Sequence, residues 1–299
     1  SKTTTIRHLA SLLDRPSRLQ AKALAQGRAE PASVASADLP PEQKARTLEL
    51  AVEYLQYLYY RRELDRTEYT ARFLALLAAR SALGVPQGER PAPRPPERPD
   101  AGHRSARLRL GAGLDKAKLF QEVRFRFAYH TLADHDAGYP EGSHIVFGDT
   151  AVRYLVEERR ARLEQLDLVD ILSIAPRDEL FKPLSWRITA GATQRVMEDG
   201  QKHLVFRLSP GVGVAYRIPV LGLWYGMLEA DANAGEALEE HHALGLGAST
   251  GLVTRVTDRW SLLLSARATY YGLGDRHGLL DVRLTQNYAL TPDVAVSLE

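Results

Sequence analysis

The chain has no cysteine. Within these residues that excludes a disulfide, a thiolate metal site and a cysteine nucleophile, and it leaves the compartment open. No run approaches the roughly 18 apolar residues of a spanning helix. The N-terminus, SKTTTIRHLASLL, lacks the apolar core and small-residue cleavage site of a signal peptide, so the sequence reads as a mature piece or a piece cut from something longer. A large charge of one sign is also missing, with 39 basic against 37 acidic residues and a net charge of +2. Arg159, Arg160 and Arg162 stand among Glu157, Glu158 and Glu164, which makes a solvated charged stretch. No nucleic-acid partner is therefore expected. What is present is an apolar fraction of 44%, enough for a real core.

Glycine and proline divide the chain. Only Gly27, Gly84 and Gly88, of 22 glycines, precede residue 100. Residues 86–99, PQGERPAPRPPERP, read as a proline-rich linker. Before it, residues 1–85 read as a helical connector. Ala45, Leu48, Ala51, Val52, Leu55, Leu58 and Tyr59 form one apolar stripe at helical spacing. Asp65 with Glu68 marks the capped start of the next helix, whose buried side would be Phe73, Leu74, Leu76 and Leu77. Two shorter helices are expected near residues 4–13 and 16–26, the second ended by Gly27. The tyrosines between Tyr54 and Tyr60 read as helix–helix packing.

After residue 100 the period changes to two. Leu108 and Leu110 alternate with Arg107 and Arg109, and Val123, Phe125 and Phe127 with Arg124 and Arg126. Similar runs follow around Trp186–Ala192, Leu204–Leu208, Val212–Ile218, Leu262–Tyr270 and Val282–Tyr288. Turn signals at Asp199-Gly200, Asp258-Arg259, Gly274-Asp275 and Thr291-Pro292-Asp293 separate them. Residues 152–170 fit either period and are read as two strands. The fold class expected is α plus all-β: the helical connector, then residues 100–299 as an antiparallel meander β-barrel of roughly 8–10 strands. Which face lies inside is open. An outer-membrane type would turn Phe125 and Phe127 to lipid and Arg124 and Arg126 to a polar lumen; a soluble barrel would do the reverse. Strand lengths near ten residues lean toward the membrane.

A complete catalytic site is absent from the sequence. Gly247-Ala248-Ser249-Thr250-Gly251 matches a nucleophile-elbow pattern, but its flanks are strand-like and no helix follows. His241 and His242 adjoin Glu239 and Glu240, yet neighbouring strand residues point to opposite faces, so the group reads as a polar hairpin loop. Neither a metal nor a cofactor is expected. The richest segment is Phe127 to Tyr154, which carries Asp134-His135-Asp136, Gly138, Tyr139, Pro140 and Gly142 between apolar runs. It reads as a long connection at one rim of the barrel. Asp134, His135, Asp136 and Tyr139, with Arg124 and Arg126 on the strand leading in, are the candidate ligand or partner contacts.

The segment AYHTLADHDAGYPEGSHIVFGDTAVRY, followed by LEQLDLVDILSIAPRDELFKPLSWRITAG, resembles the C-terminal region of DUF4105 proteins, the Lnb-type envelope proteins of Gram-negative bacteria. RPSRLQAKALAQG, LPPEQKARTLELAVEYLQYLYYRRELD and ARSALG extend the resemblance over nearly the whole chain. It implies a place in the periplasm or outer membrane, a helical connector and a C-terminal barrel. In that family a papain-like domain of the NlpC/P60 type precedes this region, and one branch is associated with lipoprotein N-acylation. Papain-like chemistry needs a cysteine thiolate, so no catalytic residue carries over; an acyltransferase or hydrolase activity would belong to the full-length protein. The function expected is that of an accessory region anchoring or positioning such an enzyme, in cis or on another envelope protein. The alternative is a lipid- or peptide-binding barrel without an enzymatic role.

Overall fold

The structure, a computed structural model, describes residues 2–85, 104–134, 138–196, 201–238, 240–291 and 293–299. The expected linker at 86–99, the candidate contacts His135 and Asp136, and the turn or loop residues Asp199, Gly200, Glu239 and Pro292 lie outside the described residues. The chain divides into two units, Ser1–Pro95 and Pro96–Glu299.

The first unit holds α1 (Lys2–Ser11), α2 (Arg15–Ala25), α3 (Ala32–Ala35), α4 (Pro41–Tyr60) and α5 (Arg66–Ala82). Helix α4 is the centre, packed by α1, α2 and α5. Its buried Ala45, Leu48, Ala51, Leu55 and Leu58 are the apolar stripe read from the sequence. Tyr54 is buried, while Tyr59 stacks on Tyr69 of α5 with ring centroids 4.3 Å apart. Asp14 caps α2 by accepting the Ser17 N–H at 2.9 Å. Hydrogen bonds from the Ser17 side chain and backbone hold the Asp14 carboxyl below its ordinary range. The cap therefore stabilises the folded unit above the ordinary carboxylate pKa and is lost as pH falls through the lowered one.

Helix α5 departs from expectation. Of Phe73, Leu74, Leu76 and Leu77, only Leu76 is buried, and Leu74 is 58% exposed. The helix meets α4 along one narrow line, through the Tyr59–Tyr69 stack and an Arg80–Glu49 pair at 2.9 Å, which leaves its flank open. The short α3 was not foreseen, since four residues carry no periodicity. With little packing, α5 leans on its cap, where Asp65 accepts the Glu68 N–H at 2.8 Å. Asp65→Ala is expected to cost about 1 kcal/mol, read as roughly fivefold faster amide exchange in the first turn of α5.

The second unit is one antiparallel meander of eleven strands in sequence order. They are β1 (Arg107–Asp115), β2 (Lys118–His130), β3 (Ser143–Leu155), β4 (Arg160–Ser173), β5 (Ser185–Val196), β6 (Lys202–Ile218), β7 (Gly222–Ala234), β8 (His242–Arg255), β9 (Trp260–Gly274), β10 (His277–Ala289) and β11 (Ala295–Leu298). The expected count of 8–10 is exceeded, and the short β11 was not anticipated. Residues 152–170 do fall on two strands, β3 and β4. The two apolar runs either side of Pro210 are a single strand, β6. Proline removes a ladder donor, and here the Ser209 hydroxyl donates to the Ala230 carbonyl at 3.0 Å instead, so the sheet continues through the gap.

No ladder joins β1 to β11 among the described residues. The sheet nevertheless curls until side chains meet across it: Arg109 of β1 reaches Glu299, just past β11, at 2.6 Å. Glycines on the inner wall permit this. A Cβ on Gly247 would come within 2.3 Å of the Ala268 carbonyl oxygen, and one on Gly245 within 2.8 Å of the Tyr271 ring.

The burial is inverted relative to a soluble protein. The charged face of each strand points into the curl, and the apolar face points out. Arg126, Asp149, Asp167, Asp170, Glu229 and Asp231 are all buried, whereas Leu110 and Leu246 are each 73% exposed. Away from the rims, outward positions carry no Asp, Glu, Lys or Arg among the described residues.

Candidate functional site

A meander places its connections alternately at two rims. The connections after β2, β4, β6, β8 and β10 share one rim, the long-loop rim; the others share the short-turn rim. Between them, inward side chains line a cavity of about 520 Å³. Period-two alternation turns every second side chain inward, and enough of these are charged that much of the wall is built of ion pairs.

Toward the long-loop rim, Arg107 and Arg126 both hold Asp134, at 2.5 and 3.0 Å, and the Thr131 N–H donates to the same carboxylate at 2.9 Å. Arg124 binds Asp149 through two nitrogens at 2.6–2.9 Å. At the same rim, Asp170 accepts from Thr189 at 2.8 Å and pairs with His144 at 3.1 Å and Arg187 at 3.3 Å. In the middle, Glu229 pairs with Arg267 at 2.9 Å, and Asp231 with Arg207 at 3.0 Å and Arg267 at 2.5 Å. At the short-turn rim, Lys202 joins Asp115 at 2.6 Å and Glu164 at 3.2 Å, while Arg153 spans Glu122 and Glu164.

The first residues of the connection after β2, Thr131 to Asp134, do not stand at the rim. They turn inward, and their main chain is held by the opposite wall. The Leu132 carbonyl accepts from Arg255 at 3.2 Å, and the Ala133 carbonyl from Ser261 at 2.6 Å and Asn287 at 2.9 Å. Leu132 joins Leu172, Ile174, Ala215, Leu223, Tyr225, Met227 and Val253 in an apolar cluster at that end. A second one, of Val205, Leu238, Ala243 and Tyr271, lies at the other end. The polar cavity thus has one small apolar cluster toward each rim.

Of the candidates read from the sequence, Arg124, Arg126 and Asp134 come together in this wall, already engaged with one another or with Asp149. Asp134 is held by two arginines, which removes it from cation binding. Tyr139 does not face the cavity; its ring stacks on His130, with centroids 4.4 Å apart. The residues missed were Asp149, Asp170, Arg187, Arg207, Glu229, Asp231 and Arg267. Their only signal was that each occupies an alternate position beside an apolar neighbour.

Ser249 lies in mid-strand with its hydroxyl donating to the Glu229 carboxylate, not on a strand–helix turn. Among the described residues, no group of three or more His, Asp or Glu is placed to hold a metal ion. A wall of paired charges around an open cavity can orient and neutralise charge.

Residues 96–299 match the family model described as Domain of unknown function (DUF7840), and residues 1–92 match Domain of unknown function (DUF7842). No curated protein and no solved structure matches the chain.

Proposed function

We propose, on the premise that the chain belongs to the DUF7840 family through residues 96–299, that its strand unit is a barrel of the outer-membrane type that anchors the chain in a lipid bilayer. The observation carrying this reading is the outer face. It is apolar and free of mid-strand charge, and its tryptophans gather at one rim, with Tyr154 and Tyr270 toward the other. Trp186 opens β5, Trp224 lies near the start of β7 and Trp260 opens β9, so all three tryptophans of the chain stand at the long-loop rim. Tyr216 and Tyr288, near the ends of β6 and β10, stand beside them, and Tyr216 stacks on Trp224 with centroids 6.2 Å apart. Aromatic girdles at the headgroup level and an apolar band between them are what a bilayer selects on a barrel exterior. Water would select neither, because a face this large and apolar drives association. In a bilayer the free edges of β1 and β11 would have no water to bond, so closure of the sheet is part of the same proposal.

The tryptophans give a direct test. In vesicles, their fluorescence should be quenched strongly by lipids brominated near the headgroup and weakly by lipids brominated near the bilayer centre. Equal, negligible quenching at every depth would overturn the reading. The resemblance to the DUF4105 C-terminal region supports a further element: the anchored chain positions a papain-like enzyme domain of the cell envelope, a domain these residues do not contain. Deleting residues 104–299 from the full-length protein should then release that activity from the membrane fraction; activity that stays membrane-bound would count against it.

A further inference from the structure

Toward the short-turn rim, the cavity wall holds charges and donors that the ion-pair network does not use. Arg195 of β5 lines the cavity and makes no hydrogen bond or ion pair among the described residues. Its Nε is buried. So are Nη2 of Arg207, Oγ1 of Thr269 and the hydroxyl of Tyr271, and none of the three has a hydrogen-bond partner of proper geometry among the described residues. Thr269 and Tyr271 are themselves 4% and 0% exposed, with the Asn233 amide beside the tyrosine. Both Arg195 and Arg207 are within electrostatic reach of the Tyr271 hydroxyl. The neighbouring carboxylates are already committed. Asp231 serves Arg207 and Arg267, Glu229 serves Arg267 and Ser249, and Asp170 serves Arg187. Among the described residues, one positive charge, at Arg195, is left over.

We propose that Arg195, Arg207, Thr269 and Tyr271 form a binding site for a phosphate-class oxyanion inside the strand unit. All four of these atoms can donate; Asn233 Oδ1, an acceptor beside the Tyr271 hydroxyl, can take that one proton and leaves Arg195 Nε, Arg207 Nη2 and Thr269 Oγ1 without an acceptor among the described residues. An unmet buried donor costs about 1–3 kcal/mol, so several sharing one place are explained by an acceptor with many lone pairs. A phosphate offers three oxygens to four donors and cancels the surplus charge, which a neutral acceptor would not. Gly245 and Gly247 leave the space into which Tyr271 and Thr269 project, and the adjoining cavity of about 520 Å³ has room for the remainder of a small phosphorylated ligand. The site does not depend on the membrane reading, since Arg195 and Arg207 line the cavity, and Thr269 and Tyr271 are buried on the same inner face, whatever surrounds the exterior.

The test uses the full chain in detergent micelles, titrated calorimetrically and by phosphorus NMR. One arm adds inorganic phosphate; the other adds short-chain phosphatidic acid, with phosphatidylcholine as the control. Binding in the first arm identifies a free anion, and binding in the second alone identifies a lipid headgroup; either supports the site. Arg195→Gln should weaken binding at least tenfold, and Arg195→Lys, which keeps the charge, by about threefold. Should Arg195→Gln lower the folded yield, Thr269→Val keeps the side-chain shape and should still weaken binding about threefold. Absence of binding in both arms would overturn the proposal, as would undiminished affinity in Arg195→Gln or, where that variant folds poorly, in Thr269→Val. Bromolipid quenching is read separately, so failure of this site and failure of the bilayer reading are distinguishable.

Discussion

Leu228→Arg is expected to destabilise the strand unit by about 2–4 kcal/mol when it folds into vesicles, a 30- to 1000-fold loss in the folded-to-unfolded ratio. Leu228 lies in mid-β7, 70% exposed, paired with Val212 on one side and Ala248 on the other. In water such a position is the most forgiving in the molecule, and a charge there changes stability by about 0.5 kcal/mol or less. In hydrocarbon the same guanidinium has no partner on the outer face and must drag water or thin the bilayer. The depth dependence sharpens the test. Gln286→Arg, on the same face but three residues from the end of β10, is expected to cost only about 0–1 kcal/mol. Urea titration of folding in vesicles, followed by the heat-sensitive gel mobility of folded barrels, gives both numbers. Equal small effects from the two variants would leave the exterior as an ordinary wet surface and remove the ground for membrane anchoring.

The alternation that made the strands legible could not say which way they face. Leu108–Arg109–Leu110 and Phe125–Arg126–Phe127 read identically whether arginine or phenylalanine points inward, because a period of two is unchanged by inverting the sheet. The inversion becomes visible only when partners far apart in sequence meet. Arg267 finds Asp231 from 36 residues away, and Arg109 finds Glu299 from 190 away. Likewise the tryptophans look unrelated along the chain; they come to one rim once β5, β7 and β9 are known to run in the same direction. Local signals served well where local physics rules. Asp65 with Glu68 marked the start of α5, and Gly27, at φ +69°, follows α2. They failed where tertiary contacts override them. The two-residue turn between β1 and β2 is made by Lys116 and Ala117 at φ of 48° and 65°, with no glycine or asparagine to announce it. The Asp134 segment looked like a solvated turn because its partners, Arg107, Ser261 and Asn287, come from β1, β9 and β10.

Asp231→Leu is the interior counterpart of Leu228→Arg, and it should cost about 3–5 kcal/mol in the same folding assay. Asp231 is 2% exposed and holds two arginines, Arg207 and Arg267, while also accepting from Asn233 at 3.0 Å. Removing it leaves Arg207 buried beside Arg195 with no carboxylate of its own, and Arg267 dependent on Glu229 alone. The penalty is the burial of uncompensated charge more than the loss of attraction, so it should shrink when the charge goes too. Arg207→Leu combined with Asp231→Leu is expected to be more stable than Asp231→Leu alone, with a coupling of about 1–3 kcal/mol. Strictly additive losses would mean that water already solvates this part of the wall. The pair would then no longer be part of a dry scaffold, and the donors at Arg195 and Tyr271 would be met by water, with no need of an anion.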